Sequence, residues 1–172
     1  GATPWHIYKL VKHNVEKGFY DTELLSEYTE EEWNTINSWV KHERDEQLTY
    51  AAMEQFRGKY LVQNRVTKTL YETPQMAYML IAATLFQDYD RKTRLRYVKD
   101  YYDAISTHQI SLPTPVMAGV RTPQRQFSSC VLIEADDSLD SINATASSIV
   151  KYVSQKAGIG INGGRIRALG SP

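Results

Sequence analysis

A chain of 172 residues with 20 Lys and Arg against 20 Asp and Glu carries no formal net charge. No global field therefore draws it to nucleic acid or to an anionic membrane. Its one cysteine excludes an internal disulfide and fits a reducing, cytoplasmic compartment.

No run of about 18 or more apolar residues offers a transmembrane helix. The N-terminus lacks a basic region ahead of an apolar stretch, so it does not read as a secretory signal. The first two-thirds of the chain reads as helical. Ile7, Leu10, Val11 and Val15 recur at helical spacing and predict an amphipathic helix over residues 5–17, ended by Gly18. Asp21 and Thr22 are placed to cap a second short helix that carries Leu24 and Leu25. Thr29 and Glu32 form a capping-box pattern ahead of Trp33. Ile36 and Val40 extend one face of a longer helix, whose charged middle, Lys41 to Glu46, is expected to be solvated and paired along its own surface.

Lys59-Tyr60-Leu61-Val62 and Thr69-Leu70-Tyr71 flank Gln63-Asn64-Arg65 and predict a small irregular hairpin. Thr73 followed by Pro74 reads as an N-cap with proline at the first helical position. The helix that follows, Met76 to Phe86, is apolar on nearly all sides and is expected at the centre of the first domain. Leu95, Val98, Tyr102 and Ile105 define another amphipathic helix, with Arg91, Lys92, Arg94, Arg96 and Lys99 assigned to its polar face. The equal abundance of acids and the lack of a stacking motif argue against nucleic-acid binding there. The 12 tyrosines read as amphipathic packing rings.

Ser111-Leu112-Pro113-Thr114-Pro115 breaks the helical pattern, and Gly119 and Pro123 prolong an irregular connection. Beyond it the periodicity changes. Residues 127–134 read as a strand. Asp136-Asp137-Ser138 caps a helix with Leu139, Ile142, Ala146, Ile149, Val150 and Val153 on its apolar face. Gly158-Ile159-Gly160-Ile161 reads as a second short strand. Strand, helix, strand is a βαβ unit, which cannot close a sheet by itself. Residues 127–172 are therefore expected to begin a larger α/β domain.

Several motifs are weak. Gly158 to Gly163 satisfies G-x-G-x-x-G, but it follows a helix instead of a strand, so a dinucleotide site is not expected. Asn143-Ala144-Thr145 is a sequon inside a predicted helix and reads as chance. His6, His13, His42 and His108 have no zinc-type spacing, and no metal site is expected. Cys130 sits in Ser128-Ser129-Cys130-Val131-Leu132-Ile133-Glu134. By local chemistry it is a small buried hydrophobe or a thiol lacking an evident base.

Taken together, several stretches carry a specific resemblance. They are the Ser-Ser-Cys strand, Leu112 to Pro115, Asp137 to Thr145, Lys151 to Asn162, Gly164 to Pro172, and Gly58 to Arg65. In their order along the chain they resemble the large catalytic subunit of class I ribonucleotide reductase. The resemblance implies an α+β chain: a mainly α-helical N-terminal domain over 1–126 including the connecting loop, then the first βαβ unit, 127–172, of a ten-stranded α/β barrel. It implies a ribonucleoside-diphosphate reductase that replaces the ribose 2′-hydroxyl by hydrogen through radical and thiol chemistry.

Cys130 would be one of two redox thiols. Thr114 and Ser129 would contact the substrate diphosphate, and Ala157 and Gly158 would lie near its base. Asp137, Ser138, Leu139, Arg165 and Arg167 would form a specificity site for a nucleoside triphosphate effector, although locally they are an adequate N-cap with two loop cations. The helix at about 138–156 would form a homodimer interface.

No cofactor is expected in the chain itself. The family draws its radical from a separate small subunit and its electrons from a thioredoxin- or glutaredoxin-type reductant. The family's radical cysteine and second redox cysteine are not encoded here, so the expectation is a fragment, inactive alone and completed by the C-terminal part of the barrel. The alternative is a non-catalytic helical interaction module whose βαβ tail completes a partner.

Overall fold

The computed structural model describes residues 4–123. The predicted strand, helix and strand beyond residue 126 lie outside the described residues. Within them the chain is helical: α1 (Ile7–Glu16), α2 (Glu23–Glu27), α3 (Glu30–Trp39), a 3₁₀ helix (His42–Gln47), α4 (Tyr50–Gln55), a π-helical turn (Phe56–Tyr60), α5 (Pro74–Leu85), α6 (Arg94–Ser106) and α7 (Thr114–Gly119).

The ends of these helices are set by local chemistry that the sequence displays. At the end of α1, Gly18 adopts φ 80°. Its N–H donates to the Val15 carbonyl at 3.0 Å, and the Phe19 N–H reaches back to Asn14 at 2.7 Å. Those two bonds satisfy carbonyls that the helix leaves open, and only glycine takes that conformation without strain. At the start of α3 the capping box is complete. Thr29 Oγ1 accepts from the Glu32 N–H at 3.1 Å, and Glu32 Oε1 accepts from the Thr29 N–H at 3.0 Å. Thr73 Oγ1 accepts from the Met76 N–H at 3.3 Å, with Pro74 opening α5.

All twelve residues of α5 are buried. It packs against α6, α7 and the 3₁₀ helix, while α1 packs on α2 and α3. The Tyr28 hydroxyl, between α2 and α3, donates to the Ala83 carbonyl of α5 at 2.6 Å. The hairpin reduces to one antiparallel bridge, Gln63 with Leu70. It is flanked by bonds from the Asn64 N–H to Thr69 and from the Tyr71 N–H to Val62, both 2.9 Å.

Three expectations need correction. The charged run is not the middle of a long helix: Val40 turns extended (φ −70°, ψ 124°) and ends α3. Nor do its charges pair only among themselves. Arg44 pairs with Asp103 of α6 at 2.9 Å, and Asp45 accepts from Gln75 of α5 at 2.9 Å.

Arg94 is not on a solvated face. Its side chain is 1% exposed. Its guanidinium stands 4.2 Å over the Tyr28 ring, donates to Glu32 and Gln87 at 3.0 and 2.7 Å, and also meets the Glu27 carbonyl. A cation can be buried when every donor finds an acceptor. Finally, the connection after Pro113 is not wholly irregular. Proline near the start of a helix costs no hydrogen bond, and α7 forms there.

Candidate functional site

Thr114 is the one predicted site residue within the described region. It is exposed, and its Oγ1 lies 3.5 Å from the Tyr60 hydroxyl. Ser129, Cys130, Asp137, Ser138, Leu139, Ala157, Gly158, Arg165 and Arg167 lie outside the described residues.

What positions Thr114 is α7, and what positions α7 is a buried ionic cluster at its far end. Val116 and Met117 anchor the helix in the core. Two residues past its last turn, Arg121 points inward with a fully buried side chain against Glu72, also fully buried. Arg121 Nε donates to both carboxylate oxygens at 3.0 Å, and Nη2 meets Oε1 as well. The remaining donors go to backbone: Nη1 to the Met117 and Val120 carbonyls at 2.8 and 2.9 Å, and Nη2 to the Tyr60 carbonyl at 2.9 Å.

The Glu72 carboxylate is also served by the Tyr20 hydroxyl at 2.5 Å and the Val62 N–H at 2.9 Å. Burial, with the Glu72 charge beside it, raises the Tyr20 phenol well above its ordinary value, which keeps it a neutral donor. Burial alone would lower the Arg121 pKa. The adjacent Glu72 more than offsets that and leaves it above its ordinary value, so the cation is secure.

The cluster joins four separate stretches: the loop after α1 (Tyr20), the end of the π turn (Tyr60 to Val62), the entry to α5 (Glu72) and the exit from α7 (Arg121). Of its members only Tyr60, Leu61 and Val62 stood out in the sequence, as one arm of the hairpin. The one available signal was a lone charge in an apolar setting, Tyr71-Glu72 and Val120-Arg121.

Beside the π turn a cavity of about 220 Å³ runs past Tyr60, Tyr78, His108 and Ser111. A larger open groove of about 690 Å³ lies between Trp5, Met53, Leu70 and Met76. Among the described residues no group of three or more His, Cys, Asp or Glu side chains is placed to hold a metal, and no helix is long and apolar enough to cross a membrane.

Comparison with known proteins gives these positions a context. The model for the ribonucleotide reductase all-alpha domain matches residues 46–125, and the model for the ribonucleotide reductase barrel domain matches residues 128–172. The chain is 64% identical over 169 residues to the ribonucleoside-diphosphate reductase 1 subunit alpha of Escherichia coli (strain K12). It is 64% identical over 168 residues to the subunit alpha of Haemophilus influenzae, and 55% identical over 161 residues to that of Enterobacteria phage T4.

These alignments take in 98%, 98% and 94% of this chain but only 22%, 22% and 21% of the relatives. The chain thus spans about a fifth of the length of the curated relatives it matches. The described helices supply the mainly helical N-terminal part expected from the resemblance. On the match of both domain models and near-complete alignment at 64% identity, the chain belongs to the ribonucleotide reductase large-subunit family.

Proposed function

We propose that this chain forms the substrate-facing first part of the catalytic subunit of a ribonucleoside-diphosphate reductase. The observation that carries the reading is the barrel-domain match beginning at residue 128, two residues before the sole cysteine. In the proposed reaction the ribose 2′-hydroxyl leaves as water, hydrogen takes its place, and two thiols are oxidised to one disulfide. Cys130 is one of those thiols. The sequence holds a single cysteine, so the second redox thiol and the thiyl radical belong to other sequence.

We divide the chain into a helical domain, 1–126, and the first βαβ unit of the barrel, 127–172. Thr114 and Ser129 hold the diphosphate, and Ala157 and Gly158 allow the base to approach the backbone. Asp137, Ser138, Leu139, Arg165 and Arg167 receive a nucleoside triphosphate effector, where arginine's planar donor fork suits the phosphates. The helix at about 138–156 pairs two copies of the subunit. A small subunit supplies the radical, a thioredoxin- or glutaredoxin-type protein supplies electrons, and the setting is cytoplasmic. The matches to both halves of the chain favour this reading over a helical interaction module.

Residues 1–172 alone are expected to reduce no CDP, because one thiol cannot close an intrachain disulfide. Grafted in place of the matching stretch of the Escherichia coli relative, they are expected to support reduction with the small subunit present. Cys130→Ser in that chimera abolishes turnover by external reductant and leaves sedimentation unchanged. Full turnover by the Ser variant would remove Cys130 from its role.

A further inference from the structure

We propose that the Tyr60 hydroxyl is a second phosphate-binding donor beside Thr114, the two together holding one non-bridging oxygen of a nucleoside diphosphate. This rests on the reading of Thr114 given above. The two hydroxyl oxygens lie 3.5 Å apart at a solvent-exposed position. That is the outer limit of a hydrogen bond, so neither hydroxyl is well satisfied by the other. An anionic oxygen between them can lie about 2.7 Å from both, the ordinary length for O–H···O. Each hydroxyl then donates to it, and a hydrogen bond to an ionised acceptor is stronger than one between neutral groups.

The juxtaposition is held from behind. Tyr60 and Thr114 are 54 residues apart in sequence, and Arg121 links their backbones. Its Nη2 donates to the Tyr60 carbonyl, and its Nη1 donates to the Met117 and Val120 carbonyls that close the helix begun by Thr114. The Tyr60 ring is braced edge-on by Phe56, centroids 5.5 Å apart, and Phe56 is buried. A fixed pair of donors needs little ordering when an anion arrives. The buried Glu72–Arg121 cluster therefore acts as a positioning group for both hydroxyls.

The test uses the active chimera described above. Tyr60→Phe keeps the ring and its contact with Phe56 and removes only the hydroxyl. It is expected to raise KM for CDP about tenfold with kcat within about twofold, the loss of one hydrogen bond to a charged acceptor. Inhibition by inorganic pyrophosphate should weaken by a similar factor, while inhibition by cytidine, which lacks phosphate, should not change. Thr114→Ala should behave alike, and Tyr50→Phe, at a tyrosine that opens α4 and is 82% exposed, should match the parent.

An unchanged KM and unchanged pyrophosphate inhibition in Tyr60→Phe, with both altered in Thr114→Ala, would overturn the role of Tyr60 and leave the reading of Thr114 standing. Parent values in both variants would overturn both. A fall in kcat without a change in KM would also overturn the proposal, since it would show a disturbed fold instead of a lost phosphate contact.

Discussion

At Arg121 a buried cation, its buried carboxylate and a left-handed backbone coincide. The residue has φ 88°, a region that costs a side chain about 1–3 kcal/mol unless its surroundings hold it there. Here they do: the guanidinium is fully hydrogen-bonded, and the Arg121 carbonyl accepts from the Asp21 N–H at 2.8 Å. Removing only the cation leaves Glu72 charged and buried. Arg121→Met is therefore expected to cost about 3–5 kcal/mol in urea unfolding. The double variant with Glu72→Leu should recover part of that loss, because no lone charge remains, although Tyr20 and Val62 lose the acceptor that Glu72 supplied. A double variant as unstable as the single one would locate the cost in packing and in those two donors. The sequence showed Thr29 with Glu32 because capping partners stand three residues apart. Glu72 and Arg121 are separated by 49, and no local pattern links them.

Among the elements, the 3₁₀ helix departs most from expectation, and the reason is tertiary. A charged run reads as solvated only while its partners are sought within the run. Asp103 and Gln75 come from α6 and α5, and they draw Arg44 and Asp45 inward. Lys41 is held as well, its N–H donating to the Tyr102 hydroxyl at 2.9 Å. His42 opens this element, and burial lowers its pKa below the ordinary 6.5 despite the nearby Asp45 and Glu43 charges. Between the lowered folded value and 6.5 the unfolded chain binds more protons, so stability rises with pH across that window and is lost as pH falls. His42→Asn should flatten the dependence of the urea midpoint just below pH 6.5. Asp45 acts at lower pH and with the opposite sign, since burial raises its pKa and stability falls as pH climbs through the carboxylate range. An unchanged slope in His42→Asn would assign the dependence elsewhere.

For the whole molecule, the centre was legible and the seams were not. The unbroken apolar run from Met76 to Phe86 announced a helix with no solvent face, and α5 is buried throughout. The capped ends of α1, α3 and α5 were legible for the same reason, since each is specified within a few residues. The π turn and α7 were not, because their geometry depends on what Arg121 reaches across the fold. Of the proposed substrate contacts, composition and spacing singled out none. Thr114 and Ser129 stood out only through resemblance, and Tyr60 only once the fold brought it to Thr114.

The cluster around Glu72 also sets an order in time. Tyr20, Val62 and Glu72 are synthesised well before Arg121, so the carboxylate gains two of its partners early and its counter-ion late. At roughly 5–20 residues per second of synthesis, the 49 residues between Glu72 and Arg121 correspond to roughly 2–10 s. Throughout that interval the half-built helical domain holds a negative charge that it is shaped to bury but has no cation to neutralise. The stretch around Glu72 is then expected to stay open to water until Arg121 emerges. Nascent chains stalled with residue 110 as the last outside the ribosome should be cut by protease more readily than chains exposing residue 125. Equal resistance of the two would mean that the domain closes without Arg121. If the ordering holds, the residue that ties down α7 is also the signal that the helical domain has been completely made.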